Sequence, residues 1–262
     1  MLTGEFVTGI DLVDILLALF VVFFLGLVLY LQREGMREGY PLESDDTLGR
    51  KDTATPVFYP QPKTFKLMHG RGDLTYSYGP RDTRELALKR SAPWPGAPYV
   101  PTGDPMADGV GPASYAERAD YPDLTLAGEP RIAPYRVSPG YTVPKEDADP
   151  RGMTVFGADG ERAGEVVDLW VDRSEAILRY FEVAVDGTGD VPKRVLLPVP
   201  FAVKKGGRAA GIHVEAILAA HFAKVPVTKD ETSITRLEED RISGFYGGGK
   251  LYATAARQEP VL

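Results

Sequence analysis

The sequence of 262 residues contains no cysteine and only three histidines, and these shortages exclude several kinds of chemistry. Without cysteine the chain can form no disulfide framework, no thiol nucleophile and no thiolate metal site, which fits a reducing compartment. The histidines (His69, His213 and His221) are far apart, and no acid lies at metal-ligand spacing from them on a predicted helix. No Ser–His–Asp pattern is recognisable either. The composition therefore favours a protein that is not an enzyme and holds no metal by itself.

Lysine and arginine are also absent from the first 32 residues, whose only charged residues are Glu5, Asp11 and Asp14. The 18 residues Ile15–Gln32 carry no charge at all. At about 1.5 Å per residue they span about 27 Å, close to the hydrocarbon thickness of a bilayer. A signal peptide would need a basic residue before the apolar run and a small-residue cleavage site after it. The sequence therefore predicts an uncleaved transmembrane helix over residues 12–36.

The charges that flank the helix predict its orientation. Arg33 and Arg37 follow the apolar run at once, and positive charge stays on the cytoplasmic side of a membrane. Residues 1–11 are therefore expected in the periplasm, and roughly 230 residues are expected in the cytoplasm. The part of the chain after residue 32 carries 30 basic and 34 acidic residues, a net charge of −4, which argues against nucleic acid as a partner, because nucleic acid requires a basic face. It also argues against docking on anionic lipids by charge.

Proline is concentrated in one part of the chain. Seventeen of the 22 prolines lie between Pro41 and Pro150, and the stretch Ser91–Pro105 contains five, which excludes a helix or a central strand there. A disordered linker is one interpretation, but such linkers are poor in the aromatic residues that this region contains. The sequence favours an extended segment over residues 37–105 that packs on another protein at the membrane surface. Short β pieces are expected near Lys66–Tyr78.

Compact β structure is predicted from about residue 151, after a connecting segment over residues 106–150. MTVFG, the turn Asp159–Gly160 and GEVVDLWVD predict a hairpin, in which Val167, Leu169 and Val171 share one face. The stretches RYFEVAV, RVLLPV, FAVKK and GIHV follow at strand-like spacing. Several short strands with frequent turns predict a small barrel over residues 151–250, followed by a tail over residues 251–262.

The end of this region is predicted to contain a short helix at Glu215–Phe222, a last strand at TSITRL and a polar helical turn at LEEDRIS. GFYGGGK (Gly244–Lys250) has the spacing of a phosphate-binding loop, but Leu251 stands where a serine or threonine would hold magnesium. We interpret GFYGGGK as a glycine-rich turn.

Seven motifs, in order along the chain, resemble the H subunit of the purple bacterial photosynthetic reaction centre. The C-terminal part resembles the PRC-barrel domain that this family carries. The motifs are REGYPLE (Arg37–Glu43), PKTF (Pro62–Phe65), HGRG (His69–Gly72), PTGDPMADGVGPASYAERAD (Pro101–Asp120), DPRGM (Asp149–Met153), VVDLWVDRSE (Val166–Glu175) and LEEDRISGFYGGGKLYA (Leu237–Ala253).

The resemblance implies a non-enzymatic subunit of the bacterial inner (intracytoplasmic) membrane that caps the cytoplasmic face of the L and M subunits. Bacteriochlorophyll, bacteriopheophytin, quinones, non-haem iron and carotenoid would be bound by L and M, and none by this chain alone. A light-harvesting 1 antenna ring and a tetrahaem or soluble cytochrome c can belong to the same complex. Membrane lipids are further expected partners.

The resemblance also implies a proton relay. Reduction of the buried secondary quinone to quinol takes two electrons and two protons, so a cap that excludes water must offer titratable side chains. Burial and neighbouring like charges raise carboxylate pKa values and so make carboxylates suitable carriers. By resemblance Glu175 is the acid nearest the quinone, and Asp172 and Arg179 tune it. Asp123 matches a position near the place where protons enter.

The sequence departs from the family at one place. Some members carry two histidines where this chain has Ala127 and Glu129. Either Glu129 and Asp123 take over their role, or protons enter elsewhere.

Three alternatives stay open from the residues. The acids near Glu175 could belong to a solvated turn whose surface ion pairs contribute little. The whole chain could be a membrane-anchored PRC-barrel adaptor or assembly protein unconnected with light. It could also be a membrane-tethered enzyme whose site is not recognised.

Overall fold

The computed structural model describes residues 11–37, 40, 60–76, 84–189, 191–207 and 210–258. The predicted periplasmic residues 1–10, parts of the predicted extended segment and the last four residues of the chain lie outside this set. The chain divides into two compact units. The first unit comprises Met1–Arg81 and Trp94–Gly96, and the second unit comprises Asp82–Pro93 and Ala97–Leu262.

The first unit begins with helix α1, Leu12–Gly35, close to the predicted range. Asp11 caps its start, because the Asp11 carboxylate accepts hydrogen bonds from the N–H groups of Val13 (2.8 Å) and Asp14 (3.0 Å). No residue of α1, all of which are described, is buried against the rest of the chain. Among the described residues α1 is the one helix long and apolar enough to cross a membrane. An apolar helix exposed on every side requires an apolar environment.

The first unit also contains a small hairpin, near the place where short β pieces are predicted. Strand β1, Thr64–Lys66, pairs antiparallel with strand β2, Asp73–Thr75. Arg37, just after α1, donates a hydrogen bond to the carbonyl oxygen of Gln61 (2.6 Å), which ties the end of the helix to the start of the hairpin.

The second unit contains nine strands and a short helix, in chain order: Leu88–Arg90 (β3), Tyr99–Pro101 (β4), Pro105–Asp108 (α2), Ile132–Pro134 (β5), Thr154–Phe156 (β6), Arg162–Asp172 (β7), Ile177–Val185 (β8), Lys193–Pro198 (β9), Val203–Lys205 (β10) and Gly211–His213 (β11) among the described residues. Strands β3 and β4 form a separate hairpin. The other seven strands form one sheet with the order β10-β11-β6-β7-β8-β9, and β5 pairs with β7 beside this path. All neighbours in the sheet are antiparallel except β11 and β6, which are parallel.

The β6–β7 hairpin is confirmed, but the predicted face of β7 is wrong at Val167. Val167 is 38% exposed, whereas Leu169 and Val171 are buried. The pairing of β7 with β8 shifts register between Val166 and Asp168, so one extra residue enters β7 at this point. A bulge of this kind interrupts the alternation of side chains on which the prediction depended.

The C-terminal helix, α3, spans Arg236–Tyr252 and corrects two predictions. TSITRL is not a strand, because Thr235 caps α3 by accepting a hydrogen bond from the N–H of Glu238 (3.1 Å). GFYGGGK is not a turn, because it lies within α3. A Cβ atom on Gly248 would lie 2.4 Å from the Cβ of Ala113, so the glycine allows a neighbouring segment to approach the helix closely.

The predicted helix at Glu215–Phe222 appears as a 3-10 helix at Ala219–Lys224, and a further 3-10 turn follows α3 at Ala255–Arg257. The core of the second unit joins the sheet to α3, with members such as Leu197, Ile212 and Tyr246. The fold is therefore one N-terminal apolar helix followed by a mostly β domain.

Candidate functional site

Asp172 is the last residue of β7, and its carboxylate is completely buried. Its Oδ1 accepts hydrogen bonds from the N–H groups of Ser174 (3.0 Å) and Glu175 (3.1 Å), which shape the turn between β7 and β8. A buried carboxylate that stays ionised needs cationic partners to offset its lost hydration. The turn therefore contains a buried negative charge, which cationic side chains from other elements must balance.

Arg131 supplies the main balancing charge. Its Nε donates to Asp172 Oδ1 (3.0 Å), its Nη2 donates to Glu175 Oε1, and its Nη1 lies 3.5 Å from Asp123 Oδ2. Arg131 immediately precedes β5, and Ile132 pairs with Asp172 across the β5–β7 ladder. The sheet itself thus brings the guanidinium against the carboxylate.

Two more arginines complete the group. The Nη2 of Arg179, in β8, lies 3.4 Å from Asp172 Oδ2, and the Nη2 of Arg236, in α3, donates to Asp123 Oδ1 (2.6 Å). We refer to the following residues together as the carboxylate–arginine cluster: Asp123, Asp172, Glu175, Arg131, Arg179 and Arg236. Four of the five residues predicted for a proton relay therefore lie in one connected group.

The fifth predicted residue, Glu129, lies outside the cluster. Its Oε2 accepts a hydrogen bond from Arg173 Nη1 (3.0 Å), and Arg173 is held in turn by the carbonyl oxygen of Pro130 (2.9 Å from Nε). Glu129 and Arg173 line an open cavity of about 710 Å³, together with Tyr141 and Thr232. Glu129 is thus a surface acid beside a cavity.

The arginines reverse the direction in which burial alone would shift the pKa values of Asp172 and Asp123. Burial acts to raise the pKa of Asp172, but the hydrogen bonds from Arg131 and from the N–H groups of Glu175 and Ser174 hold that pKa below its usual value. For Asp123, burial likewise acts to raise the pKa, and the hydrogen bond and charge of Arg236 outweigh it. Both groups are therefore ionised at neutral pH.

Sequence reasoning did not find Arg131 or Arg236. The available signal for Arg131 was a basic residue directly before a β-branched strand residue, Ile132, but its partner is 41 positions away. For Arg236 the signal was its place beside the helix cap, Thr235. Within the described part of the chain no group of three or more histidine, aspartate or glutamate side chains could hold a metal ion.

Two protein-family models match the chain. One, described as the photosynthetic reaction centre H-chain N-terminal region, matches residues 4–137, which is just over half of the sequence. The other, the PRC-barrel domain, matches residues 145–214, where β6 to β11 lie. These matches do not favour an adaptor unconnected with light, and with α1 they indicate a membrane-anchored structural subunit. The chain belongs to the H-chain family of the photosynthetic reaction centre, whose members associate with the L and M subunits in a complex that carries pigments and quinones.

Proposed function

We propose that this chain caps the cytoplasmic face of the L and M subunits, shields the quinone sites from bulk water and relays protons to the secondary quinone. The observation that carries the proposal is the carboxylate–arginine cluster, in which Arg131 joins the buried Asp172 to the exposed Glu175. The buried Asp172, with its two guanidinium partners, holds in place the turn from which the exposed side chain of Glu175 extends.

The residues of the cluster have different tasks in this proposal. The quinone supplies the redox chemistry, which consumes two electrons and two protons. Glu175 is the proton carrier, because its side chain is about half exposed (51%) at the tip of the β7–β8 turn. Asp172 and Arg131 hold that turn in one conformation and set the local electrostatic potential. Asp123 links the group to α3 through Arg236.

The test of the relay is the variant Glu175→Gln in the assembled complex. The first electron to the secondary quinone should arrive at the normal rate, since it needs only charge compensation. The second electron transfer, which is coupled to proton arrival, should slow by tenfold or more, or about 1.4 kcal/mol in barrier. A small permeant acid should restore part of the rate by carrying protons past the gap.

The matched control is Glu161→Gln, which changes an exposed acid in another turn, between β6 and β7. Assembly and pigment absorption should be normal in both variants. If Glu175→Gln transfers the second electron at the rate of the unmodified complex, Glu175 is only a surface acid. The relay would then run through acids of the L and M subunits.

We extend the proposal to topology, with residues 1–11 in the periplasm and the chain after α1 in the cytoplasm. Its support is Arg33 in the last turn of α1 and Arg37 just beyond it, with only acids before the helix. Protease added to inside-out vesicles should digest the second unit, and protease added to spheroplasts should leave it intact. The opposite result would reverse the orientation.

Purification tests the partners. The full-length chain, isolated from membranes in mild detergent, should bring the L and M subunits with it in a complex that absorbs in the near infrared. The antenna ring and the cytochrome are further proposed components of that complex. A colourless preparation without L and M would refute the proposed cap.

A further inference from the structure

Glu239 differs from the acids of the carboxylate–arginine cluster in its partner. It lies in the first turn of α3, and its Oε2 accepts a hydrogen bond from the hydroxyl of Tyr180 (3.4 Å), a buried residue of β8. Asp123, Asp172 and Glu175 each form an ion pair with an arginine. In the described part of the chain, no basic nitrogen lies within 4.0 Å of the Glu239 carboxylate.

Glu239 also interacts electrostatically with Asp123 and Arg179, which lie at the two ends of the cluster. Arg236, three residues earlier in the same helix, binds Asp123, and residues at this spacing share a helix face. Arg179, the neighbour of Tyr180 in β8, pairs with Asp172. A change in the charge of Glu239 therefore alters the electrostatic potential at Asp123 and at Arg179.

The charged groups around Glu239 come from three elements. Arg118 and Asp123 come from the segment before β5, Arg179 and Tyr180 from β8, and Asp240 from α3 itself. Asp240 pairs with Arg118 at 3.2 Å, which leaves less of the Arg118 charge to act on Glu239.

These surroundings raise the pKa of Glu239 above its usual value. Burial is the largest influence and raises the pKa of Glu239, and the negative charge of Asp123 adds to it. The charges of Arg118 and Arg179 and the hydrogen bond from Tyr180 act in the opposite direction without cancelling it. Burial, and then the Glu239 charge, raise the pKa of Tyr180, so its phenol keeps the proton that it donates.

We propose that Glu239 is the proton store of the carboxylate–arginine cluster, an inference that rests on the relay function proposed above. When protonated, Glu239 releases one proton and becomes a carboxylate, and the carboxylate of Glu175 accepts that proton and becomes a neutral acid. Solvent then protonates Glu239 again. No electron moves in this step, and the total number of protons is conserved.

The experiment uses the assembled complex and the variant Glu239→Gln. Proton uptake that accompanies reduction of the secondary quinone is measured with a pH-sensitive dye, and infrared difference spectra record the C=O band of neutral carboxyl groups. The variant should lose one such band and part of the uptake. The control Glu231→Gln, an exposed acid just before α3, should keep both.

Two further variants separate a proton store from a structural residue, because they should move its titration in opposite directions. Tyr180→Phe removes a hydrogen bond that favours the ionised carboxylate, so the Glu239 band should persist to higher pH. Asp123→Asn removes a neighbouring negative charge, so the band should disappear at lower pH. A residue with a merely structural role would show no such band in any variant.

The outcomes also separate this inference from the relay. If Glu239→Gln keeps the band and the full uptake while Glu175→Gln slows the second electron transfer, the store is refuted and the relay stands. If the band is lost with Glu239→Gln but Glu175→Gln has no effect, the route through Glu175 is wrong. In that case Glu239 is still established as a protonated carboxyl that releases its proton on quinone reduction.

Discussion

The Nε of Arg131 lies 2.9 Å from the Oδ2 of Asp172, although the two residues are 41 positions apart in the chain. The antiparallel pairing of Ile132 with Asp172 fixes this distance, so the ion pair depends on the backbone of two strands as well as on two side chains. Because Asp172 is fully buried, the stability of the β7–β8 turn depends on its partner.

Replacement of Arg131 should therefore destabilise the protein. Arg131→Leu leaves the buried Asp172 carboxylate with Arg179 as its one remaining cationic partner among the described residues, and the free energy of unfolding should fall by about 3–5 kcal/mol. Arg131→Lys should lower the free energy of unfolding by a smaller amount, because a positive charge remains beside Asp172. Denaturant unfolding of the full chain in detergent measures the change.

The control for Arg131 is Arg162→Leu, which breaks an ion pair with Asp186 in which both side chains are half exposed. Its effect should stay below about 1 kcal/mol. Equal losses in Arg131→Leu and Arg162→Leu would mean that the Asp172 pair contributes no more than a surface contact.

Acid should destabilise the second unit through its buried carboxylates. Glu182, like Asp172, has a lowered pKa: burial acts to raise it, and hydrogen bonds from Arg136, Trp170 and Arg194 outweigh burial. A carboxyl whose pKa is lower in the folded state stabilises the fold above its unfolded pKa of about 4, and this contribution is lost as pH falls through the folded pKa. Asp172→Asn should flatten the decline of unfolding free energy below about pH 4. An unchanged slope would contradict this assignment.

The glycines of α3 should differ in their tolerance of alanine. A Cβ on Gly248 would lie 2.4 Å from the Cβ of Ala113, so Gly248→Ala should cost about 1–3 kcal/mol through overpacking. A Cβ on Gly247 would lie 3.2 Å from the carbonyl oxygen of Pro112 as its nearest atom. Because alanine is more favourable than glycine in a helix by about 1 kcal/mol, Gly247→Ala should change the free energy of unfolding very little. Similar effects in thermal unfolding would show that α3 can move away from the Ala113 segment.

Zinc should inhibit quinone protonation only weakly. Asp123 and Glu129, which stand near the positions of the family's histidine pair, are engaged by arginines, and carboxylate oxygens hold zinc less well than mixed ligands that include imidazole. The rate of the second electron transfer should be nearly unchanged in micromolar zinc. The double variant Ala127→His, Glu129→His should create sensitivity to zinc. Strong inhibition of the unmodified complex would indicate that protons enter elsewhere.

Features that depend on local pattern could be predicted from the sequence. The unbroken apolar run of α1 and the Asp159–Gly160 turn of the β6–β7 hairpin are each determined by residues that lie within about twenty positions of one another. Glu175 and Asp172 were proposed as site residues by resemblance, because their motif is contiguous.

Features that depend on distant contacts could not be predicted. GFYGGGK has the composition of a turn, but its glycines lie in a helix and allow close contacts with residues distant in the sequence, such as Ala113 and Ile217. Val167 faces outward because a bulge forms against β8, and a bulge leaves no local mark in an apolar strand. The role of Arg131 as the partner of Asp172 cannot be predicted until β5 is known to pair with β7.

Strand β5 has a consequence for how this chain could be divided or recombined. Ile132–Pro134 belongs to the stretch that matches the H-chain N-terminal region, yet it is hydrogen-bonded to β7 in the stretch that matches the PRC barrel. The segment around Ala113, from the first stretch, packs on α3, which lies beyond the second. The two regions therefore cannot be exchanged independently of each other. A chimera joined between residues 137 and 145 would combine β5 of one relative with β7 of another, so exchange between relatives should succeed only when the cut lies before the segment around Ala113.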